Sequence, residues 1–230
     1  MRLKIVNSTV KDGNMSLNYG KKEEVLHNRT NFFKKNNINN FIKIKPIYKD
    51  NIIILVDNDI KNKEIEADCI ITNVPNLFLH LYFADCIPMT VFDKKNNILA
   101  FAHMGWQSIE ANLHKKVIEK MINTFNSNIK DIEVYLGPSI KASSYIINTP
   151  SQLKYEEWLP YLRYIKNDCY QIDLNGYILD YLKKIGVKNI NISSIDTAKD
   201  KEYYSHYRCN YIKKDEKEGR FIMGAMMEEK

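Results

Sequence analysis

At 230 residues, with 44% hydrophobic and 27% charged side chains, the chain has the composition of an ordinary globular protein and ample length for a core. A formal charge of +6 is spread along its length as lysine; this suits a pocket for phosphate or another anion and offers no focused basic face for nucleic acid. Four scattered cysteines (Cys69, Cys86, Cys169, Cys209) without a CxxC exclude a disulfide scaffold and imply a reducing compartment. The start MRLKIVNSTV is no signal peptide, and no run approaches the ~20 apolar residues of a membrane span, so a cytoplasmic protein without a membrane partner is expected. Richness in Asn, Lys and Ile reads as base-composition bias and says little about function.

In chain order, residues 4–6 are a short candidate strand. Residues 8–20 (STVKDGNMSLNYG) are turn-rich, with Asp12-Gly13 as a hairpin signal. Val25, Leu26, Phe32 and Phe33 recur at helical spacing and predict a helix over residues 21–35 that carries His27, Asn28 and Arg29. Residues 41–45 alternate as a strand, Pro46 interrupts, and Tyr48 precedes a further strand at 52–56. Residues 65–72 (IEADCIIT) read as one strand, leading through Pro75 into a central hairpin. There two apolar runs, 77–92 and 98–102, flank the polar turn Lys94-Lys95-Asn96-Asn97. After Trp106, Ile109, Leu113, Val117 and Met121 repeat every four residues, with Ile118, Ile122 and Phe125 widening the stripe of one amphipathic helix. Residues 132–136 alternate as a strand and end at Gly137-Pro138-Ser139. Residues 155–164 suit a short helix broken at Pro160, and 173–185 a helix stopped by Gly186. A strand at 190–195, an irregular or helical stretch at 199–207 and a strand at 221–226 complete the chain. Strands cluster with helices between pairs, without strict βαβα order, repeats or linkers. A single α+β domain over residues 1–230 is expected.

If Asp93 pairs with Ile98, Pro88 faces His103, and Cys86 lies diagonally adjacent to the imidazole. Diagonal neighbours are ~7–8 Å apart at Cα, close enough to share a ligand. Asp85 adjoins the thiol, and Gly105-Trp106 follows the imidazole. Two chemistries fit: a Cys86 thiolate nucleophile with His103 as base, or both residues as Zn²⁺ ligands with a third protein ligand and one open position. His80 is ~20 Å from Cys86 along a continuous strand, so a core or surface role is expected. His27 and His114 sit on helices, and His206, near Arg208, is the remaining pocket candidate. Cys69, Cys169 and Cys209 read as structural. Asn28-Arg29, Ser139 and residues 205–208 offer groups to hold phosphate or ribose, and Tyr203, Tyr204 and Tyr207 rings to stack on a base.

ADCIP (residues 84–88), with the His of AHMGW (102–106) seventeen residues beyond the Cys, resembles the laccase-domain or multicopper polyphenol oxidoreductase family, also called the peptidoglycan-editing-factor family. STVKDGNMSLNYG, HNRTNFF, ADCIIT, LGPSI and YYSHYR…EGRFIMGAM are similar to its other segments, so the likeness spans nearly the whole chain. The resemblance implies a four-layer α/β/β/α sandwich of mixed sheets, shared with the deamidase domain of cytotoxic necrotizing factor toxins. It also implies zinc, or copper in its place, and purine nucleoside phosphorylase activity on adenosine, inosine or guanosine with inorganic phosphate as co-substrate. Some members also deaminate adenosine. Carried over, Cys86 and His103 match two metal ligands, while Tyr48 stands where the family has the His of a Q-x-H segment. Gln107 replaces the Arg usual after G-W, and Ser143-Ser144 a Cys pair. The expected site is thus Cys86, His103 and Asp85 for catalysis, with Asp85 orienting. Asn28, Arg29, Ser139 and Arg208 would bind substrate, and Cys86, His103 and Tyr48 the metal, in a monomer or homodimer. The rival readings are a relative that binds a nucleoside without turnover, and a metal-free Cys–His hydrolase acting on a peptidoglycan precursor.

Overall fold

The computed structural model describes residues 1–56 and 62–229. In chain order they form β1 (Arg2–Asn7), α1 (Lys22–Lys35), β2 (Phe41–Lys45), β3 (Ile52–Leu55), β4 (Lys63–Glu66), β5 (Cys69–Thr72), β6 (Phe78–Phe83), β7 (Ile87–Asp93), β8 (Ile98–Met104), α2 (Trp106–Glu110) and α3 (Leu113–Phe125). There follow β9 (Ile132–Leu136), β10 (Ile146–Asn148), β11 (Leu162–Lys166), β12 (Cys169–Ile172), α4 (Leu174–Lys184), β13 (Asn189–Ile192) and β14 (Phe221–Glu228). One sheet has the order β1-β14-β6-β2-β4, the other β13-β9-β7-β8-β5-β3, and β10-β12-β11 make a small third. Both large sheets mix parallel and antiparallel pairs. No described helix is long and apolar enough to cross a membrane.

Every residue of β7 and β8 is buried, which requires cover on both faces of their sheet. On one face Met89, Val91, Ala100 and Ala102 pack with Ile109, Leu113 and Val117 of α2 and α3 and Ile178 and Leu182 of α4. On the other, Phe92, Leu99 and Phe101 meet Leu79, Leu81 and Phe83 of the second sheet. That sheet's outer face, at Phe78, Ile222 and Met226, is covered by Phe32 of α1. The layers are therefore α/β/β/α, as the resemblance implies, and the hairpin register is the expected one, with Asp93 opposite Ile98 and Pro88 opposite His103.

Several elements differ from expectation. Residues 65–72 and 77–92 are each two strands, not one, and in both cases the halves lie in different large sheets. The apolar pattern continues through each step because both sheets bury the same interlayer space. The helix after Trp106 is two, interrupted where Asn112 takes a left-handed φ of 63°; Asn126, φ 53°, closes α3 in the same way. Asp12-Gly13 forms no hairpin. It ends a single 3-10 turn in which Asp12 accepts the Thr9 N–H at 2.9 Å, and Gly13 (φ 80°) lies directly over Asn28. Residues 155–164 form 3-10 turns over Glu156–Tyr161 and then enter β11.

His80 and His114 are buried with both ring nitrogens unpaired. Burial pushes each imidazole down to about 3. An unfolded histidine titrates near ~6.5. Between those values the unfolded chain binds protons that the folded chain refuses, so stability falls as pH drops from neutrality. The urea midpoint should decrease between pH 7 and pH 5. In His114→Phe the dependence should flatten by up to about 1.4 kcal/mol per pH unit; an unchanged slope would exclude His114 as a cause.

Candidate active site

The chain steps between the large sheets through the same three residue types twice: Ala67-Asp68-Cys69 joins β4 to β5, and Ala84-Asp85-Cys86 joins β6 to β7. Asp68 is fully buried, and its carboxylate accepts backbone N–H groups from Ile47 (3.0 Å), Tyr48 (2.8 Å), Lys49 (3.0 Å) and Asn51 (3.3 Å). Its own carbonyl accepts the His103 N–H at 2.8 Å, so one residue fixes both the Tyr48 loop and the end of β8. Asp85 turns the chain with a left-handed φ of 83°. Its carboxylate accepts the Thr197 hydroxyl and the Tyr207 N–H, both at 2.6 Å, and its carbonyl the Ile140 N–H at 3.0 Å.

Cys86 lies just before β7 and packs, half-buried, into the interlayer core. The alternation of β8 sends the His103 ring into the same space, stacked on Phe83 at 5.8 Å and met edge-on by Tyr48 at 5.5 Å. Gly105, which caps α2, is where thiol and imidazole converge. A Cβ there would stand 3.1 Å from His103 Cε1, a tight contact, and 3.6 Å from Cys86 Sγ, an ordinary one, so its absence leaves room beside both groups. The expected Cys–His juxtaposition is thus present, reached from a sheet-to-sheet step rather than along a strand. Burial, with Asp85 adding to it and Arg220 opposing, pushes the Cys86 thiol up to about 12. Burial pushes His103 down to about 4, and its Nδ1 is buried without a partner. A neutral thiol beside a neutral imidazole is not the ready thiolate of a cysteine nucleophile.

A pocket of about 300 Å³ opens over Cys86, walled by Trp106, Tyr145, Tyr207 and Tyr211 and reached by His206. Tyr207 and Tyr211 stack at 4.9 Å, and Tyr145 meets Tyr207 edge-on at 6.1 Å. Such a wall suits a flat aromatic ring. His206 is held by Glu218 at 2.7 Å, and Glu218 also accepts from Arg220 at 2.9 Å.

The other expected residues lie elsewhere. Asp85 adjoins Cys86, yet its carboxylate holds Tyr207 and Thr197 rather than orienting His103. Asn28 donates to the Asn14 carbonyl at 3.0 Å, and Arg29 to that of Met15 at 2.8 Å while lying over the Tyr82 ring. Ser139 is fully buried and accepts from Lys141 Nζ at 3.1 Å. Arg208, also buried, grips Glu216 through Nε and Nη2 and spends its remaining donors on the carbonyls of Thr197, Asp200 and Tyr203. None of these four lines the Cys86 pocket. Sequence reading had missed Asp68, Arg220 and Tyr211. For Arg220 the signal was available, since it stands in the EGRF segment already matched to the family.

The metal set does not close. Among the described residues no three His, Cys, Asp or Glu side chains could hold one ion. The third donor would be Tyr48, half exposed at φ 61°, whose phenol is pushed up by burial and then by the neighbouring Cys86. A phenol that keeps its proton is a poor ligand, which leaves two donors where a catalytic zinc takes three. No step is therefore derived through a metal.

The family model described as "Multi-copper polyphenol oxidoreductase laccase" matches residues 5–228. A purine nucleoside phosphorylase of Clostridium acetobutylicum is 31% identical over 198 residues, covering 85% of this chain and 81% of the relative. One of Rickettsia prowazekii is 27% identical over 206 residues, covering 86% and 81%. Among solved structures, YlmD from Geobacillus stearothermophilus has a TM-score of 0.84 at 18% identity over 99% of this chain and 92% of that one. YfiH of Bacillus licheniformis has 0.79 at 23% identity over 94% and 85%. These two likenesses bear on the fold alone.

Two outcomes are expected. Asp68→Ala removes the acceptor of four N–H groups in a partly exposed loop, where water can replace some of the bonds, and should lower urea stability by about 1–3 kcal/mol. A loss below about 1 kcal/mol would mean that another acceptor replaces it. Elemental analysis of the purified protein should find zinc well below one per chain, and Tyr48→His should raise it; stoichiometric zinc in the unaltered chain would show that Cys86, His103 and Tyr48 suffice.

Proposed function

The chain belongs to the multi-copper polyphenol oxidoreductase laccase family, and from that premise we propose that its Cys86 pocket binds a purine nucleoside and that the protein cleaves it with inorganic phosphate. The names of the relatives support the reaction class. The observation that carries the reading here is the aromatic-walled pocket opening on Cys86 next to the space kept clear by Gly105.

In phosphorolysis a phosphate oxygen bonds to C1′ of the ribose as the bond from C1′ to the purine nitrogen breaks. The electron pair leaves with the base, which takes up a proton, and a sugar 1-phosphate remains. The pocket supplies two things to this. Tyr207 and Tyr211 offer the base a stacking face, fixed because Asp85 holds the Tyr207 backbone. The Cys86 thiol brings a hydrogen-bonding group to the pocket floor, with the His103 ring behind it between the sheets. Bound phosphate and ribose held side by side would convert a two-body encounter into a local one.

Release of base from inosine, guanosine and adenosine should depend on added phosphate. Cys86→Ala, which removes the hydrogen-bonding thiol, should lower kcat/KM by roughly tenfold or more. Tyr207→Ala should raise KM by roughly tenfold or more, as expected from ~1–3 kcal/mol of base stacking. Release without phosphate, or release indifferent to both substitutions, would overturn the assignment.

A further inference from the structure

A second hollow shares no residue with the Cys86 pocket. It measures about 630 Å³ and lies between α1 and the edge of the outer-covered sheet at β2, β4 and β6. That volume is in the range of small-molecule sites. At its floor is His80, 1% exposed, with Nδ1 and Nε2 both buried and without a hydrogen-bond partner. The ring is sleeved by Phe33 at 5.4 Å, Phe41 at 5.6 Å, Phe78 at 5.6 Å and Tyr82 at 5.7 Å. Around this aromatic floor stand Arg29, Lys34, Lys43 and Lys63 against a single acid, Glu64, which pairs with Lys43.

Filling a core does not require an imidazole there. A neutral histidine brings one N–H and one bare nitrogen, and leaving them unpaired costs ~1–3 kcal/mol each, whereas leucine or phenylalanine would fill the sleeve without that cost. The polar ring makes sense if something else completes its hydrogen bonds. The surroundings say what kind of molecule. Phe33 and Phe41, stacked on one another at 4.6 Å, extend an aromatic pile that a further flat ring can continue, and the excess of cations at the rim calls for more than one negative charge. Arg29 is already set for this: its Nε is tied to the Met15 carbonyl and its guanidinium lies 4.6 Å over the Tyr82 ring, which fixes the plane it presents.

We propose that this hollow is a second ligand site, for a phosphorylated compound with a flat heterocycle, of the nucleoside monophosphate class. The ring lies against Phe33 and Phe41 with an edge toward His80, and the phosphate meets Arg29, Lys34 and Lys63. The site is independent of the chemistry assigned to Cys86.

Calorimetric titration with adenosine monophosphate, inorganic phosphate and adenosine, each alone, tests it. The monophosphate should bind with submillimolar Kd, and the other two at least about tenfold more weakly, since each lacks half of the recognised groups. The double reversal Lys34→Glu, Lys63→Glu should weaken monophosphate binding by about tenfold or more. His80→Leu should also weaken it without lowering the melting temperature, which separates a ligand role from a structural one. Cys86→Ser should bind the monophosphate as the unaltered protein does, so failure of the phosphorylase reading and failure of this site are told apart. Absence of monophosphate binding at ~1 mM overturns the proposal. So does binding indifferent to the charge reversal and to His80→Leu, and so does binding lost in Cys86→Ser.

Discussion

Two buried carboxylates, Asp68 and Asp85, hold the points at which the chain leaves one large sheet and enters the other. A strand end exposes N–H groups that have lost their ladder partners, and inside a protein each must find an acceptor. Asp68 takes four of them from the Tyr48 loop, and Asp85 takes the Tyr207 N–H together with a hydroxyl. Both steps lie at the same end of the sandwich, so whatever follows them in sequence is carried there: Cys86 directly, and His103 through the Asp68 carbonyl.

That arrangement explains why the pocket has the character it has. The thiol and imidazole come from the space between two sheets, where the neighbours are Phe83 and other apolar side chains. Desolvation there keeps both groups uncharged. Charged groups lie further out, where His206 of the pocket wall joins Glu218 and Arg220 in a bonded series. The fold thus brings thiol and imidazole together at a seam between layers rather than at the mouth of a barrel or the end of a parallel sheet.

The hairpin was legible to the residue, because apolar runs around Lys94-Lys95-Asn96-Asn97 admit one register that buries both faces. The sheet-to-sheet steps were not. Periodicity records whether a side chain is buried and not by which sheet, so β6 and β7 read as one strand. Asp68 escaped notice for a related reason: its partners are backbone N–H groups of residues 47 to 51, which carry no side-chain signature. For Arg208 and Ser139 residue type suggests a ligand, whereas the structure engages both side chains with buried internal partners. The Tyr48 substitution could be seen from the motif, whereas its edge-on contact with His103 required coordinates.

The asparagine content, uninformative about function, has a place in the architecture. With only 8 glycines in 230 residues, the chain still has to reverse direction many times. Asn37, Asn62, Asn76, Asn97, Asn112, Asn126 and Asn167 all adopt the left-handed backbone that glycine most often supplies. At these joints the short amide supplies the conformation that glycine, scarce in this chain, would otherwise provide. A glycine would fit each of these corners, whereas a β-branched side chain would strain it.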